Sequence, residues 1–142
     1  MIIVAVSGGF DPVHVGHINL LREAKALGDR LVVILNNDHW LRAKKGYVFM
    51  TEAERATVLS ALRYVNEVII TDHPQNPSDV SVCQALQELA PDIFANGGDR
   101  WATNVPEFQL CQTLGIKMVD NVGGGKAQSS SALIAQVKHV DR

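Results

Sequence analysis

Apolar runs rich in β-branched residues alternate with amphipathic stretches along most of the chain. Ile2–Val6, Leu31–Leu35, Val68–Ile70, Ile93–Ala95 and Ile116–Val119 are short and near-continuously apolar, and they read as strands. Between them the period changes. Leu20, Leu21, Ala24 and Leu27 fall on one helical face, and Val82, Ala85, Leu86 and Leu89 recur at i, i+3, i+4 and i+7. Thr51-Glu52-Ala53-Glu54 has the form of a capping box, which predicts a helix whose apolar side carries Ala56, Leu59 and Leu62. A last helix is predicted from near Ser129. There is no internal repeat, and Thr71–Ser78, with Pro74 and Pro77, reads as a surface loop. Strands apolar on both faces need cover on both, and right-handed crossovers supply helices there, so the alternation predicts an open parallel sheet between two helical layers. Such sheets bind ligands outside the carboxyl ends of their strands. The loops Ser7–His14, Asn96–Trp101 and Asn121–Gln128 each follow a strand, so all three are expected to open at that edge.

Composition narrows the function. A chain of 142 residues is of single-domain size. Thirteen Lys and Arg against 15 Asp and Glu give a net charge of −2, which lacks the basic footprint of a nucleic-acid binder. The apolar start is too short to span a membrane and lacks the features of a signal peptide, and it reads as a buried first strand. Cys83 and Cys111 are the 2 cysteines. Lying far apart and outside any C-x-x-C arrangement, they suggest neither a disulfide framework nor a zinc cluster. Ordinary buried thiols in a cytoplasmic protein are expected.

The densest chemistry lies directly after the first strand, in Ser7-Gly8-Gly9-Phe10-Asp11-Pro12-Val13-His14-Val15-Gly16-His17. Gly8 and Gly9 allow close approach of backbone to ligand, and a helix beginning here offers amides and a positive dipole end to an anion, phosphate above all. His14 and His17 lie on about the same side of the first turn, where imidazoles can donate to phosphoryl oxygens as charge grows in a transition state. Gly16 between them leaves room for a nucleotide. The spacing fits neither G-x-G-x-x-G nor G-x-x-x-x-G-K-[ST], since Gly125-Lys126 is followed by Ala127. A zinc site lacks further ligands. Two purely structural histidines would leave the glycines and Asp11 unexplained.

This segment resembles the G-x-F-D-x-x-H-x-G-H signature of the cytidylyltransferase-like nucleotidyltransferases. Similarity extends from about Ile2 to Val137: Arg63-Tyr64-Val65-Asn66-Glu67-Val68 is similar to the family's R-Y-V-D-E-V, Asn96-Gly97-Gly98-Asp99 to its glycine-aspartate loop, and Ser129-Ser130-Ser131 to its final serine/threonine turn. The nearest likenesses are glycerol-phosphate cytidylyltransferases and the adenylyltransferase domains that act on heptose 1-phosphate. The resemblance implies a Rossmann-like single domain of about five parallel strands with helices on both faces. It also implies attack of a substrate phosphate on the α-phosphorus of a nucleoside triphosphate, with pyrophosphate released, Mg2+ as counter-ion and no covalent intermediate.

By the same resemblance His14 and His17 steady the transferring phosphorus, and Lys44 or Lys45, in the loop after the second strand, reaches across the phosphates. Gly8, Gly9, Phe10, Asp11, Gly16, Arg63, Asp99, Lys126, Ser129 and Ser130 are implied on the nucleotide side. Asp38, Asn96 and Arg100 are implied on the acceptor side, with Trp101 and His73 as further lining. The last loop departs from the family, because Gly124 stands where glycerol-phosphate enzymes carry an arginine and Lys126 is the candidate replacement. The expected reaction is transfer of CMP or AMP to a small phosphorylated alcohol or sugar, with CTP ahead of ATP, by a homodimer acting on neither nucleic acid nor membrane. The alternatives are an adenylyltransferase making an activated heptose or a cofactor such as FAD or a coenzyme A precursor, a nucleotide sensor without turnover, and a protein-interaction module.

Overall fold

The structure, a computed structural model, describes residues 1–98, 105–124, 130 and 133–136. Its elements are β1 (Ile3–Gly8), α1 (Val15–Lys25), β2 (Arg30–Leu35), α2 (Asp38–Lys45), α3 (Glu52–Ser60), β3 (Glu67–Ile70), α4 (Cys83–Leu89), β4 (Ile93–Ala95), α5 (Val105–Leu114) and β5 (Lys117–Val119). The strands form a single five-stranded sheet in the order β3-β2-β1-β4-β5, with every pairing parallel. The expected Rossmann-like architecture is the observed one.

Alternate strand residues explain the two helical layers. Val4, Val6, Leu31, Val33, Leu35 and Ala95 pack with Leu21 and Ala24 of α1 and Leu59 of α3. Ala5, Ile34 and Phe94, their neighbours in sequence, face the other way and pack with Val82 and Leu86 at α4 and Cys111 of α5. Sheet order reverses direction at β1: the chain steps outward through β2 and β3 and then crosses to β4 on the other side. The general rule for such sheets expects a ligand crevice at this reversal, between the carboxyl ends of β1 and β4. No helix among the described residues is long and apolar enough to cross a membrane.

Several sequence expectations change. β1 runs on to Ser7 and Gly8, which pair with Ile34 and Leu35, because a polar residue at a strand end can complete the ladder without entering the core. α1 ends at Lys25, so Leu27 lies beyond it, 37% exposed, and does not share the buried face. The largest difference concerns Lys44 and Lys45, expected in a loop. They form the last turn of α2, which starts where the Asn37 side chain accepts from Trp40 N at 3.0 Å and stops at Gly46 with φ 83°. Burial of Trp40 and Leu41 holds this short helix down, and the Trp40 indole donates to Val80 O at 2.8 Å. The box at Thr51 forms as expected on its side-chain half, with Thr51 Oγ1 accepting from Glu54 N at 3.3 Å. Ser129 lies outside the described residues, whereas Ser130 and residues 133–136 are helical.

Candidate active site

In the loop after β1, Phe10 adopts a left-handed conformation, φ 51°, and the Asp11–Pro12 peptide is cis. The Phe10 ring is 3% exposed, and its face meets the His17 imidazole with centroids 4.7 Å apart and planes tilted by 59°. His14 is the N-cap of α1. Its Nδ1 accepts from Gly16 N at 3.1 Å, and His17 Nδ1 accepts in turn from His14 N at 3.2 Å. The two rings stack with centroids 3.8 Å apart and planes 23° from parallel.

These bonds determine the chemistry of the pair. A backbone amide only donates, so each Nδ1 is an acceptor and each neutral ring carries its proton on Nε2. Two adjacent N–H donors with the same tautomer therefore ride on the first turn of α1, which contains no acidic residue. That is a donor pair suited to phosphoryl oxygens. The helix start differs in detail from the sequence expectation, since the Gly16 amide is engaged by an imidazole and is not itself open to phosphate.

Several residues implied on the nucleotide side shape the loop from within. Gly8 ends β1, and its carbonyl accepts from Asn36 N at 2.9 Å. A Cβ on Gly9 would stand 2.9 Å from Leu41 Cδ2 and 3.3 Å from the Trp40 ring, so the loop packs closely on the side chains of α2 and a larger residue would have to displace them. Asp11 is 5% exposed, and its carboxylate accepts from Phe49 N at 2.7 Å and Met50 N at 2.6 Å. Gly16 remains on the first turn, half-buried between the histidines.

The last loop closes on the same edge. Asn96, 4% exposed, follows β4, with its amide donating to Val119 O at 2.8 Å and its carbonyl accepting from Val122 N at 2.9 Å. Gly123 has φ +88°, and a Cβ there would come 2.9 Å from Leu20 Cα and N. Gly123 is thus seated on α1, as a backbone approach this close excludes any side chain. Ser130 Oγ donates to Pro12 O at 2.9 Å, which joins the final helix to the histidine loop. Asp99, Arg100, Trp101, Lys126 and Ser129 lie outside the described residues.

On the other flank Asp38 opens α2, its Oδ1 held at 2.7 Å by Arg55 Nη2. His73 bridges Thr71 Oγ1 at 2.8 Å and Ser81 O at 2.9 Å, beside a cavity of about 300 Å³ at the carboxyl end of β3. Lys44 and Lys45 are exposed on the last turn of α2. Arg63 is not brought to this edge. It lies on the connection entering the amino end of β3, exposed, with Nη2 donating to Tyr64 OH at 2.9 Å and its guanidinium 4.9 Å from the Tyr64 ring centre. That hydrogen bond holds the Tyr64 hydroxyl below its usual pKa.

Two residues escaped the sequence reading. Asn36 follows β2, 2% exposed, and its Oδ1 has no hydrogen-bond partner among the described residues. Arg55 is wholly buried. Its signal was available: Arg55 and Leu59 share the i, i+4 face of α3, and a cation on an apolar face must find partners inside.

A parallel sheet with a histidine pair on the loop and helix that follow its central strand β1 is the architecture of a nucleotide-handling α/β protein. The cytidylyltransferase-like family pattern matches residues 5–119, and the chain belongs to that family, a family of nucleotidyltransferases. It is 43% identical over 116 residues to the FAD synthase of Pyrococcus abyssi, covering 81% of this chain and 70% of that one. It is 38% identical over 126 residues to the bifunctional protein HldE of Koribacter versatilis, covering 86% of this chain and 25% of the relative. The chain thus spans a quarter of that second relative's length. A lipopolysaccharide core biosynthesis protein from Thermoplasma volcanium superposes with a TM-score of 0.70 at 32% identity, covering 84% of this chain and 95% of the other.

Proposed function

We propose that this chain transfers a nucleotidyl group, AMP ahead of CMP, from a nucleoside triphosphate to a small phosphorylated acceptor with release of pyrophosphate. The observation that carries the reading is the stacked His14–His17 pair, fixed through both Nδ1 atoms so that two Nε2–H donors are presented together. An acceptor phosphate oxygen attacks the α-phosphorus, and the bond to the β-phosphate oxygen breaks. The two imidazoles donate to oxygens on which negative charge accumulates. One of Lys44 and Lys45 supplies a cation to the same phosphates from the end of α2. Ser130 of the final helix, with Lys126 and Ser129, serves the triphosphate, and Asp99 serves the nucleotide. Asn96 and Arg100 are assigned to the acceptor.

ATP takes precedence over CTP because relatives named FAD synthase and HldE match most of this chain. Riboflavin monophosphate is the first acceptor to examine, since the FAD synthase covers 81% of the chain, and a heptose 1-phosphate is the second. Magnesium fits as an ion carried by the triphosphate. Asp11 and Asp38 do not fit as its ligands: two amides hold one carboxylate and Arg55 holds the other. A cytoplasmic homodimer is proposed on the family resemblance. Phosphorus NMR of a mixture containing the protein, magnesium, ATP and one acceptor tests the reading. Paired diphosphate-bridge signals together with pyrophosphate support it, and free AMP or unchanged ATP across all acceptors counts against it.

A further inference from the structure

Arg55 ties together three segments: the loop after β1, the β2–α2 junction and the stretch that leads into its own helix. Its Nε donates to Met50 O at 2.9 Å, Nη1 to Gly9 O at 2.8 Å and Asn36 O at 2.6 Å, and Nη2 to Asp38 Oδ1 at 2.7 Å. Gly9 belongs to the loop that delivers His14, Asn36 closes β2, Asp38 opens the helix that ends in Lys44 and Lys45, and Met50 precedes α3. Asp11 holds the same pre-α3 segment from the other side through Phe49 N and Met50 N. A surface arginine does not make such contacts. With no exposed surface, a guanidinium must satisfy its donors inside the protein, and its rigid planar fork fixes the angles between the groups it joins.

We infer that Arg55 is a positioning residue for nucleotidyl transfer, setting the distance between the histidine pair on α1 and the lysine-bearing end of α2. The inference rests on the nucleotidyltransferase reading and goes beyond it. Neither the histidines nor the lysines touch Arg55 in the bonds above. It acts through Gly9 on one side and Asp38 on the other, so its loss should affect the transition state more than ground-state binding of the triphosphate. Lysine cannot replace it, having one nitrogen where the site uses three.

Arg55→Lys tests this, assayed well below its own thermal midpoint beside the wild type. The expected result is a fall in kcat of at least thirtyfold with KM for the triphosphate within threefold, and displaced His14 and His17 imidazole NMR signals in a protein that remains folded. A kcat within threefold of wild type, or histidine signals that do not move, overturns the inference. The NMR reading is independent of turnover, so it stands even if the wild type releases no pyrophosphate, an outcome that would count against the proposed reaction alone. If Arg55→Lys does not fold, Asp38→Asn gives the decision, because it leaves the guanidinium in place and weakens only its tie to α2. Reduced kcat at unchanged acceptor KM supports positioning. A raised acceptor KM at unchanged kcat overturns it, marking Asp38 as a substrate contact.

Discussion

His17 performs two tasks with two nitrogens. Nδ1 caps α1 by accepting from His14 N, and in the proposed reaction Nε2 carries the proton offered to the phosphoryl oxygens. His17→Ala removes both, and the loss of one preorganised donor is expected to slow pyrophosphate release by about 10²–10³-fold. Loss of the cap costs about 1 kcal/mol of stability. Asparagine separates the two tasks, because its side-chain oxygen can accept from the cap amide while the imidazole donor is gone. His17→Asn should therefore recover most of the thermal midpoint and little of the rate, as calorimetry beside a pyrophosphate assay would show; full recovery of rate would mean that capping is all His17 does. At Cys111, burial pushes the thiol up to about 11, and Cys83 is raised for the same reason. Only a trace of Cys111 thiolate then exists at neutral pH. Alkylation by iodoacetamide is expected to be negligible in the folded protein and complete in denaturant. Because the folded pKa lies above the unfolded one, this thiol favours unfolding as pH rises toward 11. Rapid labelling of native Cys111 at pH 7 would contradict its burial.

At the scale of elements, the apolar runs made the strands legible, and β4 occupies Ile93–Ala95 as expected. The α2 helix was not legible from periodicity, because its apolar content is the adjacent pair Trp40 and Leu41 in an otherwise polar stretch. Its ends did carry signals, an asparagine that caps and a glycine that reverses the backbone. The histidine pair was readable because its partners lie within three residues. The resemblance implies Asp11 as a ligand contact, whereas its partners in the structure, Phe49 N and Met50 N, are 38 and 39 residues away. Sequence spacing carries no trace of such a tie. The same holds for Gly123, whose need for glycine comes from α1. Gly123→Ala combines positive-φ strain of about 1–2 kcal/mol with a clash against Leu20 backbone. Gly124→Ala, with φ +76° and open space around it, incurs the strain alone. The midpoint should thus fall further for Gly123→Ala than for Gly124→Ala, and equal shifts would show that the last loop does not rest on α1.

Across the whole molecule, the sheet fixes where chemistry takes place and the buried polar ties fix its geometry. Parallel strands bring the ends of β1, β2, β4 and β5 to one edge, and Arg55, Asp11 and Ser130 bind the loops there into one surface. Breaking a buried ion pair from one side costs about 3–5 kcal/mol, so Arg55→Met is expected to be among the most destabilising single changes in the chain. Chemical denaturation measures this; a loss below 1 kcal/mol would show that the Arg55–Asp38 tie contributes little. The most direct measurement is steady-state pyrophosphate release with magnesium, each triphosphate being tried against riboflavin monophosphate, heptose 1-phosphate and glycerol 3-phosphate, for wild type and His17→Ala together. The predicted result is release that requires one triphosphate, ATP first, and one acceptor, and that collapses in His17→Ala. Triphosphate binding without release for every acceptor, with the variant indistinguishable from wild type, would contradict it and identify a nucleotide sensor on the same fold.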